Sequence, residues 1–251
     1  MSQSTESTTE SNPFTKPGFI IAAALVVALV AAGIVIFLLP KGQSNAEPAP
    51  ASSSVGASPA SSKSADVAGE SVCGLPSSTE TALGAAPKSK WELVGKMAAP
   101  TDPKTFGPGL TDGSGFRSCF AHSPTGAVYS AVNLVALGSS KSQQMNIDLA
   151  DKLMVPGAGR DAAKQQAATF DPSTGSSDTV QVRGFLLKSY TPAEANVDLA
   201  FQTSGGKLFH AVLPLEWLDG DWKVKVSDAG QLINDVAPLS DMSGFIAWAG
   251  V

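Results

Sequence analysis

Residues 19–39 read FIIAAALVVALVAAGIVIFLL, without one charged or polar side chain. About 20 apolar residues at 1.5 Å rise cover the roughly 30 Å hydrocarbon core of a bilayer. An amphipathic helix of a soluble domain keeps a polar face, and this run has none. Pro17-Gly18 and Pro40 punctuate its two ends. Two fates fit such a run: an uncleaved transmembrane helix, or the apolar region of a signal peptide. Signal peptides use about 7–15 apolar residues, so the length favours the anchor, although Ser44-Asn45-Ala46 has the form of a cleavage site. No cysteine follows closely enough for lipid attachment. LPSST at 75–79 has no apolar tail behind it and is not a wall-sorting signal.

The anchor divides the chain. Residues 1–18 are polar, rich in Ser and Thr, and form a short tail. Residues 40–70 are dominated by Ser, Ala and Pro and hold no aromatic residue. Such a segment cannot bury enough apolar surface to offset chain entropy, so it reads as a disordered linker, spanning roughly 30 Å on average. From Ser71 to Val251 the composition becomes that of one folded domain, which carries all four tryptophans. Lys16 and Lys41 flank the anchor and leave orientation nearly unmarked. The only two cysteines, Cys73 and Cys119, are more informative. An even pair behind a membrane anchor predicts a disulfide in an oxidising compartment, against two unrelated buried thiols as the alternative. The N-terminus is therefore expected in the cytoplasm and the domain outside the cell membrane.

Charge excludes one class of function. Lys and Arg number 17 against 22 Asp and Glu, a net charge of −5 at pH 7, with no basic face. Direct nucleic-acid binding needs clustered cations to displace counterions, so none is expected.

Periodicity predicts helices first and strands afterwards within the domain. One short strand is expected around Trp91–Met97, followed by a Pro- and Gly-rich loop to Gly115. In 124–137, Val128, Val132 and Val135 fall on one helical face. Met145, Leu149 and Leu153 repeat at four. Ala163, Ala167 and Phe170 mark a third helix after the PGAG break at 156–159. Strand alternation follows: Val180 and Val182; then Val197, Leu199 and Phe201, with Asp198 on the other face; then Phe209, Ala211, Leu213, Leu215 and Trp217; then Trp222, Val224 and Val226. Ser204-Gly205-Gly206 and Asp219-Gly220 are hairpin turn signals. Pro214 implies a bulge or an edge. The expected fold is α+β, with helices covering one face of a curved antiparallel sheet.

CFAHSPTGAV at 119–128 places a cysteine, a histidine and a serine within five positions. A nucleophile–base–orienter set is one reading. A structural reading explains more: Cys119 pairs with Cys73, and Ser123 is the N-cap of a helix whose first residue is Pro124. His122 and His210 are the only histidines, with no Cys or Glu at helical spacing, so no metal site is expected. Asp219 and Asp221 begin a calcium-like series that is not continued. No glycine-rich phosphate loop is present, so no cofactor and no catalytic residue is expected.

VCGLP, WELVGKMAAP, GPG, RSCFAHSPTGAV and LEWLDGDWKV, behind one apolar run and a Ser/Ala/Pro linker, resemble a family of actinobacterial single-pass membrane proteins encoded with conjugative or integrative elements. The order of helices then hairpins, with WLDGDWKV, is similar to the nuclear transport factor two-like fold, a cone of helices against a bent sheet. That fold recurs in scaffold proteins of conjugation and type IV secretion machines, and equally in enzymes and ligand-binding proteins. The resemblance implies a non-enzymatic, membrane-anchored scaffold or accessory protein of a transfer apparatus, with other envelope proteins as partners. The alternative is an anchored extracytoplasmic binding module for a small molecule or cell-wall ligand, and behind both stands a hydrolase. An apolar pocket with a few convergent polar groups favours the binding module. A filled cone with an exposed apolar patch favours the scaffold.

Overall fold

The computed structural model of the chain describes residues 69–171 and 179–250. The expected tail at 1–18, the apolar run at 19–39 and all of the linker except Gly69 and Glu70 lie outside the described residues. Among the described residues no helix is long and apolar enough to cross a membrane. What is described is an α+β domain of three helices and ten strands.

The strands begin with β1 (Lys90–Val94) and β2 (Met97–Thr101), an antiparallel hairpin pairing Trp91 with Pro100. The single strand expected at Trp91–Met97 is thus two, turning at Gly95-Lys96. The second is written in Met-Ala-Ala-Pro, in which Ala and Pro are poor strand formers, and its pairing with β1 makes it a strand. Two short strands, β3 (Leu110–Thr111) and β4 (Arg117–Ser118), close the loop that follows.

The helices are α1 (Pro124–Gly138), α2 (Gln143–Leu153) and α3 (Ala158–Ala168). Val128, Val132 and Val135 imply one apolar stripe on α1, but all its residues up to Leu134 are buried, with Ala136 and Leu137. A helix enclosed on every side is the centre of a domain, not its cover. Val135 is half-buried and faces open space described below. α3 starts inside PGAG rather than after it. Its buried stripe is Gly159, Ala163 and Ala167, and a Cβ at Gly159 would lie 2.2 Å from the Ser227 carbonyl oxygen. Small residues let this helix close on the neighbouring backbone.

β5 (Val180–Tyr190), β6 (Glu194–Thr203), β7 (Leu208–Leu218) and β8 (Asp221–Val224) form an antiparallel meander in chain order. β9 (Ala237–Pro238) pairs with β7, and β10 (Ile246–Ala247) with β5. Register shifts at Val182/Gly184 and Leu187/Ser189 bend β5, as bulges do. Asp219-Gly220 is the two-residue β7–β8 turn, both at positive φ (55° and 75°), which matches strand twist. Pro214 stands where the β7–β8 ladder ends: its carbonyl accepts from Lys225 N at 2.8 Å, and it has no N–H to return. Val197, Leu199, Phe201, Leu213 and Leu215 carry the inner face into the core beside α1.

Candidate functional site

The two ends of α1 sit in different surroundings. At its N-terminal end, every residue of the Cys119–Ser123 cluster is engaged. Cys119 forms the disulfide with Cys73, with Cα atoms 6.2 Å apart. It sits at φ 65°, unusual for a residue with a Cβ. Asp221 holds it there: one carboxylate oxygen accepts from Cys119 N at 2.7 Å, the other from Phe120 N and Trp222 N, each at 2.9 Å. Burial pushes the Asp221 carboxyl up to about 6, against the pull of those three N–H groups. Ala121 O accepts from Trp222 Nε1 at 3.0 Å.

His122 is 2% exposed and stacks on Trp217, with ring centroids 4.0 Å apart and planes within 6°. Its Nδ1 lies 3.1 Å from Gly69 O and its Nε2 2.6 Å from Pro192 O. Ser123 caps α1: its Oγ accepts from Gly126 N at 3.0 Å. A Cβ at Gly126 would stand 2.0 Å from the Ala121 carbonyl oxygen, so only glycine allows the chain to double back here. The cluster that reads as chemistry is used as structure, and it ties residues 69–73 to the start of α1.

The second histidine lies elsewhere. His210 Nδ1 is 2.8 Å from Asp198 Oδ1, on the sheet face away from the helices, with Phe245 edge-on at 6.0 Å. Asp198 is 3% exposed. The sequence placed both residues off the inner face without bringing them together. They are diagonal neighbours across the β6–β7 register, in which Ala200 opposes His210. Among the described residues no group of three or more His, Cys, Asp or Glu could hold a metal ion.

At the C-terminal end of α1 the packing stops short of filling the space. A cavity of about 760 Å³ lies between α1 and the inner face of the meander. Phe201, Phe209, Ala211 and Leu213 line it from the sheet, Leu134 and Val135 from α1, and Val224 and Val226 from β8 and beyond. Phe201 and Phe209 stack with centroids 5.2 Å apart. Its polar lining comprises Ser139, Ser140, Gln166 and Gln231, with Lys96 and Lys141 the charged residues. Among the described residues no Asp or Glu contributes. Leu232 and Val236, both exposed, reach the lining from the segment after β8. Gln231 donates to Gln166 Oε1 at 3.0 Å, and Gln166 to Ala229 O at 2.7 Å, which fastens that segment to α3. The volume and the apolar walls are those of a small-molecule site.

A family model described as a domain of unknown function (DUF8175) matches residues 51–247. The chain belongs to that family. The match takes in every helix and strand described above and begins within the Ser/Ala/Pro segment. No curated protein and no solved structure matches the chain.

Within this DUF8175 domain, sequence reasoning missed the cavity residues. Its inner-face assignment of Phe209, Ala211 and Leu213 was correct, but periodicity says which side a residue faces and not whether that side is filled. One signal was present: QLINDV at 231–236 puts Leu232, Ile233 and Val236 outside any predicted element, where apolar residues have no core to enter.

Proposed function

We propose that this domain is a non-enzymatic binding module that holds a small apolar or amphiphilic molecule between α1 and the sheet. The observation that carries the reading is the 760 Å³ cavity with its apolar walls and its few polar groups. Of the two arrangements that separate a binding module from a scaffold, an open apolar pocket favours the former. In this reading Phe19–Leu39 anchors the chain, residues 1–18 lie in the cytoplasm, and the linker presents the domain outside the membrane. The Cys73–Cys119 disulfide supports an oxidising compartment.

A scaffold role in a conjugative or type IV secretion-like apparatus, with other envelope proteins as partners, is the second reading. It draws support from Leu232, Ile233 and Val236, which are 43%, 53% and 55% exposed and would suit burial against a protein partner. Native mass spectrometry of the full chain, released from the membrane under mild conditions, separates the two. A bound small molecule is expected in the wild type and not in the double variant Val135→Trp with Ala211→Trp, whose rings would obstruct the cavity from the α1 wall and the sheet wall. A wild-type chain that arrives empty and takes up no neutral alkyl probe would overturn the binding module and leave the scaffold.

A further inference from the structure

We propose that the ligand is a single-chain anionic amphiphile, its alkyl chain lying on Phe201 and Phe209 and its acidic head group at the mouth beside Lys141. The inference rests on the binding-module reading and narrows it to one chemical class. Three observations carry it. First, polarity in the lining is uneven. The sheet contributes Phe201, Phe209, Ala211 and Leu213, which offer a head group nothing, whereas Ser139, Ser140 and Lys141 follow one another at the end of α1. A molecule that satisfies both surfaces is apolar along its body and polar at one tip.

Second, the charge that the described residues bring to the lining has one sign. Among the described residues Lys141 and Lys96 belong to the lining and no acidic residue does, in a chain whose acidic residues outnumber its basic ones by 22 to 17. Asp228 and Asp235, in the segment after β8, are exposed and not part of the lining. A cationic head group would meet like charge at the mouth, and a neutral one would gain no ion pair. Third, the segment beside the mouth is itself apolar. Leu232, Ile233 and Val236 are three of the six large apolar side chains most exposed among the described residues. An alkyl chain entering beside them stays against apolar surface along its path, which a compact polar anion would not need.

A lysine just beyond the end of α1 also complements the negative end of the helix dipole. That role alone would make Lys141 matter to melting and not to head-group choice, so the experiment must read head-group choice.

The test uses the full chain in lipid nanodiscs and a photoactivatable alkyl probe whose cross-links are mapped by mass spectrometry. Label on the β7 peptide reports occupancy of the cavity. Three competitors share one chain length: palmitate, hexadecanol and hexadecyltrimethylammonium. Palmitate should displace the label at about fivefold lower concentration than hexadecanol, the range of a partly exposed ion pair, and the ammonium should be weakest. Lys141→Ala should bring palmitate and hexadecanol together while hexadecanol competes as before, Lys141→Glu should reverse their order, and Lys141→Arg should restore it. Equal competition by all three head groups on the wild type would overturn the anionic head group and leave the cavity an alkyl site. A palmitate preference that the Lys141 variants leave unchanged would overturn the placement of the head. Absence of β7 label on the wild type with no competitor present would overturn the binding-module reading itself.

Discussion

The two ends of α1 belong to one helix of 15 residues and obey opposite rules. At the N-terminal end, polar and reactive side chains are buried, and those of Cys119, His122, Ser123 and Asp221 all have partners. At the C-terminal end the side chains are mostly simple hydrocarbons and the space between them is empty of protein. The residue types that most often signal chemistry are consumed in construction. The site that can hold something else is lined mostly by residues whose types signal no chemistry. Reactivity in a sequence is a property of residue types, whereas a binding site is a property of unfilled volume, and here the two occur at opposite ends of the same element.

The largest expected effect belongs to the packed end. Reducing the Cys73–Cys119 bridge releases a loop of 46 residues, and the chain-entropy relation puts the loss near 4 kcal/mol. Thermal melting with and without reductant should show it. A small shift would mean that the N-terminal segment is held by the other contacts at this end and that the contrast between the two ends is weaker than drawn.

Asp221 gives the next effect, through pH. Its carboxyl is raised from 3.8 to about 6 in the folded protein. Between about pH 4 and 6 the folded chain keeps a proton that the unfolded chain has lost, so stability contributed by this group is present at the acid end and falls as pH rises, levelling above 6. At about 1.4 kcal/mol per unit, the window amounts to roughly 3 kcal/mol. Asp112, Asp151 and Asp241, held below the ordinary carboxylate value by Ser114, Lys164 and Ser243, titrate below it. Denaturant midpoints measured across pH 4–7 should show the slope, and Asp221→Asn should remove it. A slope that persists in the variant assigns it to another group.

Two glycines of α1 sharpen the comparison directly. Gly126→Ala drives a methyl group into the Ala121 carbonyl and should cost about 2 kcal/mol, as overpacking does. Gly138→Ala meets only Leu149 Cδ1 at 3.9 Å and should gain about 0.5 kcal/mol from lower chain entropy. Equal responses in urea unfolding would mean that the C-terminal end is as tightly packed as the other. The smallest loss is at the cap: Ser123→Ala removes the acceptor for Gly126 N and should lower stability by about 1 kcal/mol, with ligand occupancy of the cavity unchanged. A melting midpoint that does not move would return the 119–123 cluster to candidacy as a functional site.

Much of the fold was legible because its signals are local. Ser123-Pro124 marks the start of α1 through an N–H three residues away. Asp219-Gly220 specifies its turn through its own dihedral preferences. The alternation of Val197, Leu199 and Phe201 names the buried face from the geometry of one strand. β2 was illegible in Met-Ala-Ala-Pro because its strand character comes from β1 and from its neighbours in the core.

What the sequence by itself determined is therefore the order of elements, the face each strand buries, the cap at Ser123 and the availability of Cys73 and Cys119 for pairing. Tertiary structure alone decided that His122 lies flat on Trp217, that Asp221 fixes the backbone of Cys119 from 102 positions away, that Asp198 meets His210, and that Phe201, Phe209 and Leu213 border a cavity that no side chain fills. The reason is that contact partners far apart in the chain, and the difference between the volume that elements enclose and the volume their side chains fill, depend on how every element is placed at once. No window of sequence contains either quantity.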